Sequence, residues 1–231
     1  MNEIQKLPES REIWQATLGW QPNQNQLEKF QALYAGILDG NRRLNLTRIT
    51  EPTEFWEKHL WDSLAGISGW ELTEIATKQV PLSVIDIGTG AGFPGIPLAI
   101  AFPFWTVTLL DATQKKINFL GELIQKLEIK NTQILVGRAE TIAHDNLYKE
   151  SYNLATIRAV ASASTCTKYA LPLLKKGGSA ILYRGQWTEE ERLEVELNAN
   201  KLGGNIEFIE NKLTPLTQSI RHWLYLRKLK Y

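Results

Sequence analysis

The first 80 residues carry apolar side chains at helical spacing. A short helix is predicted within "SREIWQATLGW", ended by Gly19, and a third helix from about Pro52 to Ile67, with Thr50 as its N-cap. Between them, one face of a longer helix collects Leu27, Phe30, Leu33, Tyr34, Ile37 and Leu38, and Gly40-Asn41 ends it. We therefore predict a helical N-terminal cap over residues 1–80.

From Pro81 onward, short apolar runs alternate with helix-like segments. Such alternation predicts a parallel sheet covered by helices on both faces. The predicted strands are Ser83–Ile87, Thr106–Asp111, Thr132–Val136, Asn153–Ile157 and Ala180–Arg184, and the predicted helices are Ile96–Ala101, Lys115–Leu127, Ser162–Leu174 and Glu189–Lys201.

Two further strands, Ile206–Asn211 and His222–Arg227, have only the turn "KLTPLTQSI" between them. A return without a helix predicts an antiparallel edge pair. Residues 81–231 are thus predicted to form one Rossmann-like α/β domain, a doubly wound, mainly parallel sheet with an antiparallel edge.

Composition indicates a globular protein of the cytoplasm. Of 231 residues, 43% are hydrophobic and 22% charged, and the single cysteine, Cys166, excludes an internal disulfide framework. The N-terminus "MNEIQKLPES" has no apolar core, and the longest apolar run, Gly95–Leu110, is broken by Pro97 and Pro103. We therefore expect neither a signal peptide nor a membrane span.

The first strand leads into "VIDIGTGAGFPG", which contains the spacing of a dinucleotide-binding turn, Gly90-x-Gly92-x-x-Gly95. In a doubly wound sheet this loop lies at the switch point where ligands bind. We expect Asp86 at the mouth of the loop to repel a pyrophosphate, and Pro94 and Pro97 lack the N–H donors that an anion needs.

A ligand with an ammonium group and a sulfonium centre suits Asp86 better, so the predicted ligand is S-adenosylmethionine. Gly88, Gly90 and Gly92 would let the backbone approach it closely. A nucleotide-linked oxidoreductase and a merely structural turn remain as alternatives.

The next three strands add polar groups at the same edge of the sheet. Asp111 ends the second strand, where a carboxylate can accept both ribose hydroxyls, although NAD enzymes use the same arrangement. The third strand leads to Ala139-Glu140, expected to face the adenine, and the fourth delivers Arg158, which could otherwise form a surface ion pair.

Five stretches occur in the order found in one family: "NLTRIT", "HLWDSL", "DIGTGAGFPGIPLA", "LLDATQKKINFL" and "IRAVAS". Together they resemble the bacterial 16S ribosomal RNA guanine-N7 methyltransferases, the glucose-inhibited division protein B family. The likeness runs from about Leu27 to Arg227, and "GTGAGFPGIPLA" is far more distinctive than a bare glycine motif.

The resemblance implies a class I methyltransferase fold and methylation of a guanine in the decoding-region loop of small-subunit RNA. It also implies a set of cofactor-binding residues: Gly88, Phe93, Asp111, Ala112, Thr113, Ala139, Glu140 and Arg158. Ala112 and Thr113 lie in a segment that varies within the family, which leaves the role of Thr113 open.

Methylation at N7 requires no general base, because this atom has a lone pair and no hydrogen. We therefore assign no catalytic residue and no metal, and we interpret Cys166 as core packing. His59 and Asp62 stand one helical turn apart, where the aspartate could orient the imidazole or simply pin the helix.

We expect a monomer that binds 16S ribosomal RNA or the small subunit. Its expected RNA contacts are basic patches at Arg42–Arg48 and along the C-terminal strand, where Asn211–Tyr231 carries five Lys or Arg and no acid. A non-catalytic RNA-binding protein on the same fold is a second alternative.

Overall fold

The fold is known from a computed structural model that describes residues 5–68 and 78–230. In the described residues a seven-stranded sheet has the order β3-β2-β1-β4-β5-β7-β6. Strands β1 to β5 pair in parallel, and β7 is antiparallel to both β5 and β6. The strands are β1 Ser83–Ile87, β2 Thr106–Asp111, β3 Thr132–Val136, β4 Tyr152–Arg158, β5 Leu174–Arg184, β6 Gly204–Leu213 and β7 Ile220–Lys228.

Helices cover both faces of this sheet. A π-helical turn, Trp56–Trp61, joins Pro52–Phe55 to Asp62–Ser68, and we call the three segments together α3. The other helices are α1 Arg11–Leu18, α2 Gln24–Asn41, α4 Gly95–Ala101, α5 Gln114–Lys126, α6 Ala139–Ile142, α7 Ala163–Ala170 and α8 Glu189–Lys201.

Two hydrophobic clusters occupy the two faces. Helices α1 to α5 pack on the face that presents Val84 and Leu109, and α6 to α8 pack on the face that presents Ile85 and Leu110. The neighbouring residues of one strand point to opposite faces because side chains alternate along a strand. The helices of the predicted cap thus share one core with the sheet, and the division at residues 80 and 81 stays a prediction; residues 1–4 and 69–77 lie outside the described residues.

The predicted mainly parallel sheet with its antiparallel end is confirmed, although strands β4, β6 and β7 are one or two residues longer at each end than predicted. Two further differences are local. Strand β5 begins at Leu174 rather than Ala180, and the preceding helix ends at Ala170 and a 3₁₀ turn, Leu171–Leu173. The start of β5 was missed because it reads Lys-Lys-Gly-Gly. A Cβ on Gly178 would lie 2.9–3.1 Å from three backbone oxygens, so the strand requires glycine there.

A second difference is the N-cap of α3. Thr50 was the expected cap, whereas the structure places Glu51 there, and its carboxylate accepts a 2.8 Å hydrogen bond from the N–H of Glu54. Glutamate is a less common N-cap than threonine, which explains the wrong prediction.

Helix α3 is buried on almost every side, which a surface helix is not. From residue 55 to residue 67 every side chain except Lys58 is buried. The hydroxyls of Tyr183 and Tyr225 donate to the carbonyls of Ser63 and Gly66, at 2.8 and 2.9 Å. Helix α3 is therefore tied to strands β5 and β7 by polar as well as apolar contacts.

Within residues 5–68 and 78–230, no helix combines the length and the apolar character needed to cross a membrane.

The carboxylate of Glu57 joins α3 to the β6–β7 turn. Glu57 is fully buried and accepts hydrogen bonds from the N–H groups of Leu216 and Thr217, at 2.6 and 2.9 Å, and from the Thr217 hydroxyl. Burial raises the pKa of Glu57, but these hydrogen bonds outweigh it and leave the pKa below its usual 4.5.

We predict that Glu57→Ala lowers the free energy of unfolding by about 2–3 kcal/mol at neutral pH, because it removes a charged acceptor from buried donors. Since the folded-state pKa is lowered, this contribution is present above about pH 4.5 and is lost as the pH falls through the folded value. Denaturant unfolding of both proteins between pH 3 and pH 7 measures it.

The matched control is Glu54→Ala, which removes a carboxylate that is 46% exposed and paired with Lys58 on the same helix. We expect a loss below about 1 kcal/mol. An equal loss in the two variants would contradict the assigned role of Glu57.

Candidate active site

One cavity of about 880 Å³ opens at the carboxyl ends of the central strands. Loops that follow β1, β2 and β3 form its first side, which we call the glycine-loop side. It contains Gly88–Ala91, Phe93, Asp111, Ala112 and Gly137–Glu140. Helix α3 and the ends of β4, β5 and β7 form the opposite side, which we call the arginine side; it contains Lys58, His59, Asp62, Arg158, Tyr183, Arg184 and Arg221.

Six backbone N–H groups of the glycine loop and the start of α4 donate within the protein. Those of Thr89, Gly92, Phe93 and Ile96 donate to backbone carbonyls at 2.8–3.0 Å. The N–H of Gly90 donates to Asp111 Oδ2 at 3.0 Å, and that of Gly95 donates to Asp86 Oδ2 at 2.9 Å. The loop therefore offers few donors to an external phosphate.

Asp86 does not lie at the mouth of the loop, contrary to the sequence-based expectation. It is fully buried, is not among the residues that line the cavity, and accepts from Gly95 N–H and from the Thr156 hydroxyl at 3.0 Å. Burial raises the pKa of Asp86 to about 6 despite these bonds. Asp86 thus anchors the loop from inside and does not line the surface that a ligand in the cavity would contact.

Asp111 lies at the end of β2, as expected, and lines the cavity. Its Oδ1 accepts from the N–H of Thr113 at 2.8 Å, while Oδ2 accepts from Gly90. Each carboxylate oxygen has a second lone pair, so Asp111 can still accept hydroxyl groups from a ligand.

The structure brings together seven of the eight predicted cofactor-binding residues as cavity lining: Gly88, Phe93, Asp111, Ala112, Ala139, Glu140 and Arg158. The exception is Thr113, which precedes α5 and contributes its N–H to Asp111 instead. Gly88 has a φ of +68°, and a Cβ there would lie 2.4 Å from Val160, so the turn requires glycine.

Arg158 is held from several directions. One guanidinium nitrogen donates to Asp62 Oδ2 at 2.9 Å and to the Lys58 carbonyl at 3.0 Å. The other faces His59 Nδ1 at 3.2 Å, and the guanidinium carbon lies 5.7 Å from the centre of the Phe93 ring. Arg158 therefore joins α3 to strand β4 and to the glycine loop.

His59 is a neutral imidazole. Its ring stacks on Phe93 with 4.3 Å between centroids, and burial, with Arg158 and Lys58 nearby, lowers the pKa of His59 to about 2. Because arginine can only donate, Nδ1 accepts and Nε2 carries the hydrogen, which points to Thr47 Oγ1 at 2.9 Å. Asp62 does not orient His59, since both side chains orient Arg158.

Sequence reasoning did not place Arg184 or Arg221 in the cavity. Arg184 donates to Glu191 Oε1 at 2.8 Å, and Arg221 Nε lies 3.6 Å from Asp62 Oδ1. The position of Arg184 at a strand end was a signal in the sequence, whereas Arg221 reaches the cavity because β7 pairs antiparallel with β5.

The expected basic surface along the C-terminal strand is only partly near the cavity. Strand β7 is antiparallel to β5, so Arg221 lies at the cavity end, and Arg227 and Lys228 lie at the far end. Arg227 pairs with Glu207 at 2.9 Å, and Lys228 donates to the Leu202 carbonyl at 2.7 Å. Exposed Arg42, Arg43 and Arg48, by contrast, flank the cavity-lining residues Leu46 and Ile49.

Cys166 is buried in the cluster beneath α7, and burial raises the pKa of its thiol. It packs in the core, as expected. Among the residues that the structure describes, no group of three or more His, Cys, Asp or Glu side chains could hold a metal ion.

The fold is similar to solved structures of transferases. A putative transferase from Pyrococcus horikoshii matches with a TM-score of 0.54 at 15% identity, over 70% of this chain and 63% of that chain. A SAM-dependent methyltransferase from Methanosarcina mazei matches with a TM-score of 0.52 at 14% identity, over 68% of this chain and 98% of that one. The expected class I methyltransferase fold is thus confirmed.

The sequence relatives are much closer. Proteins named ribosomal RNA small subunit methyltransferase G from Nostoc sp. and Microcystis aeruginosa are 56% and 54% identical, over 96% of this chain in both cases and 91% and 99% of their own lengths. The family model described as rRNA small subunit methyltransferase G matches residues 26–222. The chain therefore belongs to the rRNA small subunit methyltransferase G (GidB) family.

Proposed function

We propose that this chain transfers the methyl group of S-adenosylmethionine to N7 of one guanine in the decoding-region loop of 16S ribosomal RNA. The observation that carries the proposal is the two-sided cavity, in which an internally bonded glycine loop faces a side rich in arginine. We further propose that the enzyme acts in the cytoplasm as a monomer, on the RNA or on the small subunit.

The glycine loop favours S-adenosylmethionine over a dinucleotide. A pyrophosphate at a helix N-terminus takes its hydrogen bonds from free backbone N–H groups. Here the N–H of Gly95 is taken by Asp86 and that of Ile96 by the Gly92 carbonyl, while Pro94 and Pro97 have none. A nucleotide-linked oxidoreductase is therefore the weaker candidate.

The glycine-loop side supplies groups that suit the adenosine part of the donor. Gly88 allows close backbone approach, Asp111 offers lone pairs to the ribose, and Ala139-Glu140 would flank the adenine. Phe93 is fixed in the wall by its stack on His59. When bound, S-adenosylmethionine supplies an electrophilic methyl group on a cationic sulfur.

This reaction requires the protein to align the methyl donor with N7, and it requires no proton transfer. The N7 lone pair forms the new C–N bond as the C–S bond breaks, and the guanine becomes cationic without losing a hydrogen. Rate then depends on alignment of the two reactants and on the electrostatic environment of the base. Neutral His59 and core-packed Cys166 are consistent with this, because burial lowers the pKa of the imidazole to about 2 and raises the pKa of the thiol.

The RNA contacts belong to the same proposal. Arg42, Arg43 and Arg48 would contact phosphates at the rim, which position an RNA without reading its sequence. Such contacts alone would also serve a non-catalytic RNA-binding protein, and methyl transfer is the property that separates the two.

We predict that Asp111→Ala weakens binding of S-adenosylmethionine about 10- to 150-fold, because losing a charged acceptor costs roughly 1.5–3 kcal/mol. Calorimetric titration of the purified protein measures the dissociation constant. Asp39→Ala is the matched control, since Asp39 is 65% exposed and its ion pair with Arg42 is long, at 4.0 Å. Unchanged affinity in a folded Asp111→Ala protein would refute the ribose assignment.

We predict that the transferred methyl group makes one guanine of 16S ribosomal RNA sensitive to borohydride and aniline. N7-methylguanine is cationic and opens under borohydride, and aniline then cleaves the chain at that nucleotide. Treated RNA should show one enzyme-dependent break at a guanine, and none when the donor is omitted. Methyl incorporation without a break would place the methyl group on another atom.

A further inference from the structure

We propose that Asp62 reads the guanine, with Oδ1 accepting hydrogen bonds from N1–H and the 2-amino group while N7 faces the donor. This inference rests on the proposed function, because it names the group that selects the base within that cavity. It assigns to Asp62 a contact with substrate in addition to its ion pair with Arg158.

One carboxylate oxygen of Asp62 accepts a hydrogen bond, and the other accepts none among the described residues. Its Oδ2 accepts from Arg158 at 2.9 Å, whereas Oδ1 is buried and has no hydrogen-bond partner among the described residues. The side chain is only 6% exposed, yet the residue lines the cavity on its arginine side. An unpartnered buried carboxylate oxygen is costly, so a ligand that satisfies it gains affinity.

Asp62 is also the only carboxylate on the arginine side in the described residues. The other acidic lining residues, Asp111 and Glu140, belong to the glycine-loop side. Guanine carries its two donors, N1–H and the 2-amino group, on the edge away from N7. A guanine held by Asp62 can therefore direct N7 toward the opposite wall, where the methyl donor is proposed to bind.

The same contact excludes adenine. Adenine has an acceptor at N1 and no 2-amino group, so its edge would place a lone pair against the carboxylate. A ligand that leaves a buried polar group unpaired binds much more weakly than one that pairs with it. This discrimination is stronger than the one an apolar pocket makes between ligands of different shape.

The contact also favours the reaction. As the methyl group passes from sulfur to N7, positive charge develops on the guanine, and its N1–H and 2-amino hydrogens become more acidic. Their hydrogen bonds to a carboxylate therefore strengthen between the bound state and the transition state, which is the condition for catalysis rather than mere binding.

Arg221 covers the free oxygen in this structure, but weakly. Its Nε lies 3.6 Å from Asp62 Oδ1, too far for a hydrogen bond, and its side chain is 24% exposed. Entry of the guanine therefore replaces a long ion pair without breaking a hydrogen bond, while Arg158 keeps Asp62 in place.

The test combines an enzyme variant with a substrate variant. RNA fragments carry guanine or inosine at the target position; inosine keeps N7, O6 and N1–H and lacks only the 2-amino group. The kcat/KM of each RNA is measured for the unmodified enzyme, for Asp62→Asn, and for Glu191→Gln. Glu191 is the matched control, because it is a carboxylate paired with another cavity-lining arginine, Arg184.

We expect the unmodified enzyme to prefer guanine over inosine by about tenfold or more, as the loss of a hydrogen bond to a charged group implies. The preference should fall several-fold in Asp62→Asn and stay unchanged in Glu191→Gln. A residue that acts only by supporting Arg158 would slow both RNAs equally and leave the ratio as it was.

Three results would overturn the inference: no preference for guanine in the unmodified enzyme, an unchanged ratio in Asp62→Asn, or an equal fall in the control. If Asp62→Asn fails to fold, Asp62→Glu keeps a charge for Arg158 and displaces the oxygens, and an unchanged ratio there refutes the inference. Failure of the proposed function looks different, because the unmodified enzyme then makes no aniline-sensitive guanine.

Discussion

The bond between the Asp86 carboxylate and the Gly95 N–H is the constraint from which the rest of the site follows. It fastens the end of β1 to the start of α4, and the Thr156 hydroxyl extends the connection to β4. A Cβ on Gly95 would lie 2.8 Å from Asp86 Oδ2 and 2.3 Å from a Leu109 methyl, so a helix can start this close to the sheet only at glycine. The loop between them is thereby held over the strand ends with most of its donors already used.

The bond also changes what the loop can bind. In a phosphate-binding loop the free N–H groups of the helix N-terminus face the ligand. Here a buried carboxylate takes that position, and its pKa, raised to about 6, shows the cost of holding a charge in the core. The glycine motif therefore has the spacing of a dinucleotide site, but its loop suits a ligand without phosphate.

The arginine side of the cavity depends on helix α3, which is buried and therefore forms part of the cavity lining. Arg158 binds three groups of this helix, the Lys58 carbonyl, His59 and Asp62, and stands against Phe93 of the glycine loop. Movement of α3 would therefore disturb both sides together. Helix α3, which belongs to the predicted N-terminal cap, thus contributes to the site itself.

Local pattern was enough for much of the sheet and for most of the cavity lining. Strands β1, β2 and β3 have the predicted bounds, since each is a short apolar run closed by polar or glycine residues. The prediction for Asp86 was wrong because it considered where Asp86 lies along the chain and not the face of the sheet to which its side chain points. It alternates with Ile85 and Ile87, which face the second cluster, so its side chain points under α4 on the other face.

Contacts between distant segments could not be predicted in this way. Glu57 and the turn at Leu216 are 159 residues apart, and Arg221 meets Asp62 across the same span of the fold. Both pairs depend on the position of β7 in the sheet, between β5 and β6. The predicted antiparallel pair of β6 and β7 does not specify which of the two strands lies next to β5. Arg158 holds the Asp62 side chain at the cavity, and the placement of β7 brings Arg221 beside it.

The charges on the arginine side are largely offset, which suits a product more positive than its substrate. Among the described residues four cations line it and three carboxylates lie near them: Glu54 beside Lys58, Glu191 beside Arg184, and Asp62 beside both Arg158 and Arg221. Unpaired arginines would attract phosphates but oppose a guanine that becomes cationic. Pairing them near the base, while Arg42, Arg43 and Arg48 stay exposed at the rim, separates attraction for the RNA from stabilisation of the reacting base. Asp62 matters most in this balance, because one carboxylate serves two arginines and still has an oxygen without a hydrogen bond.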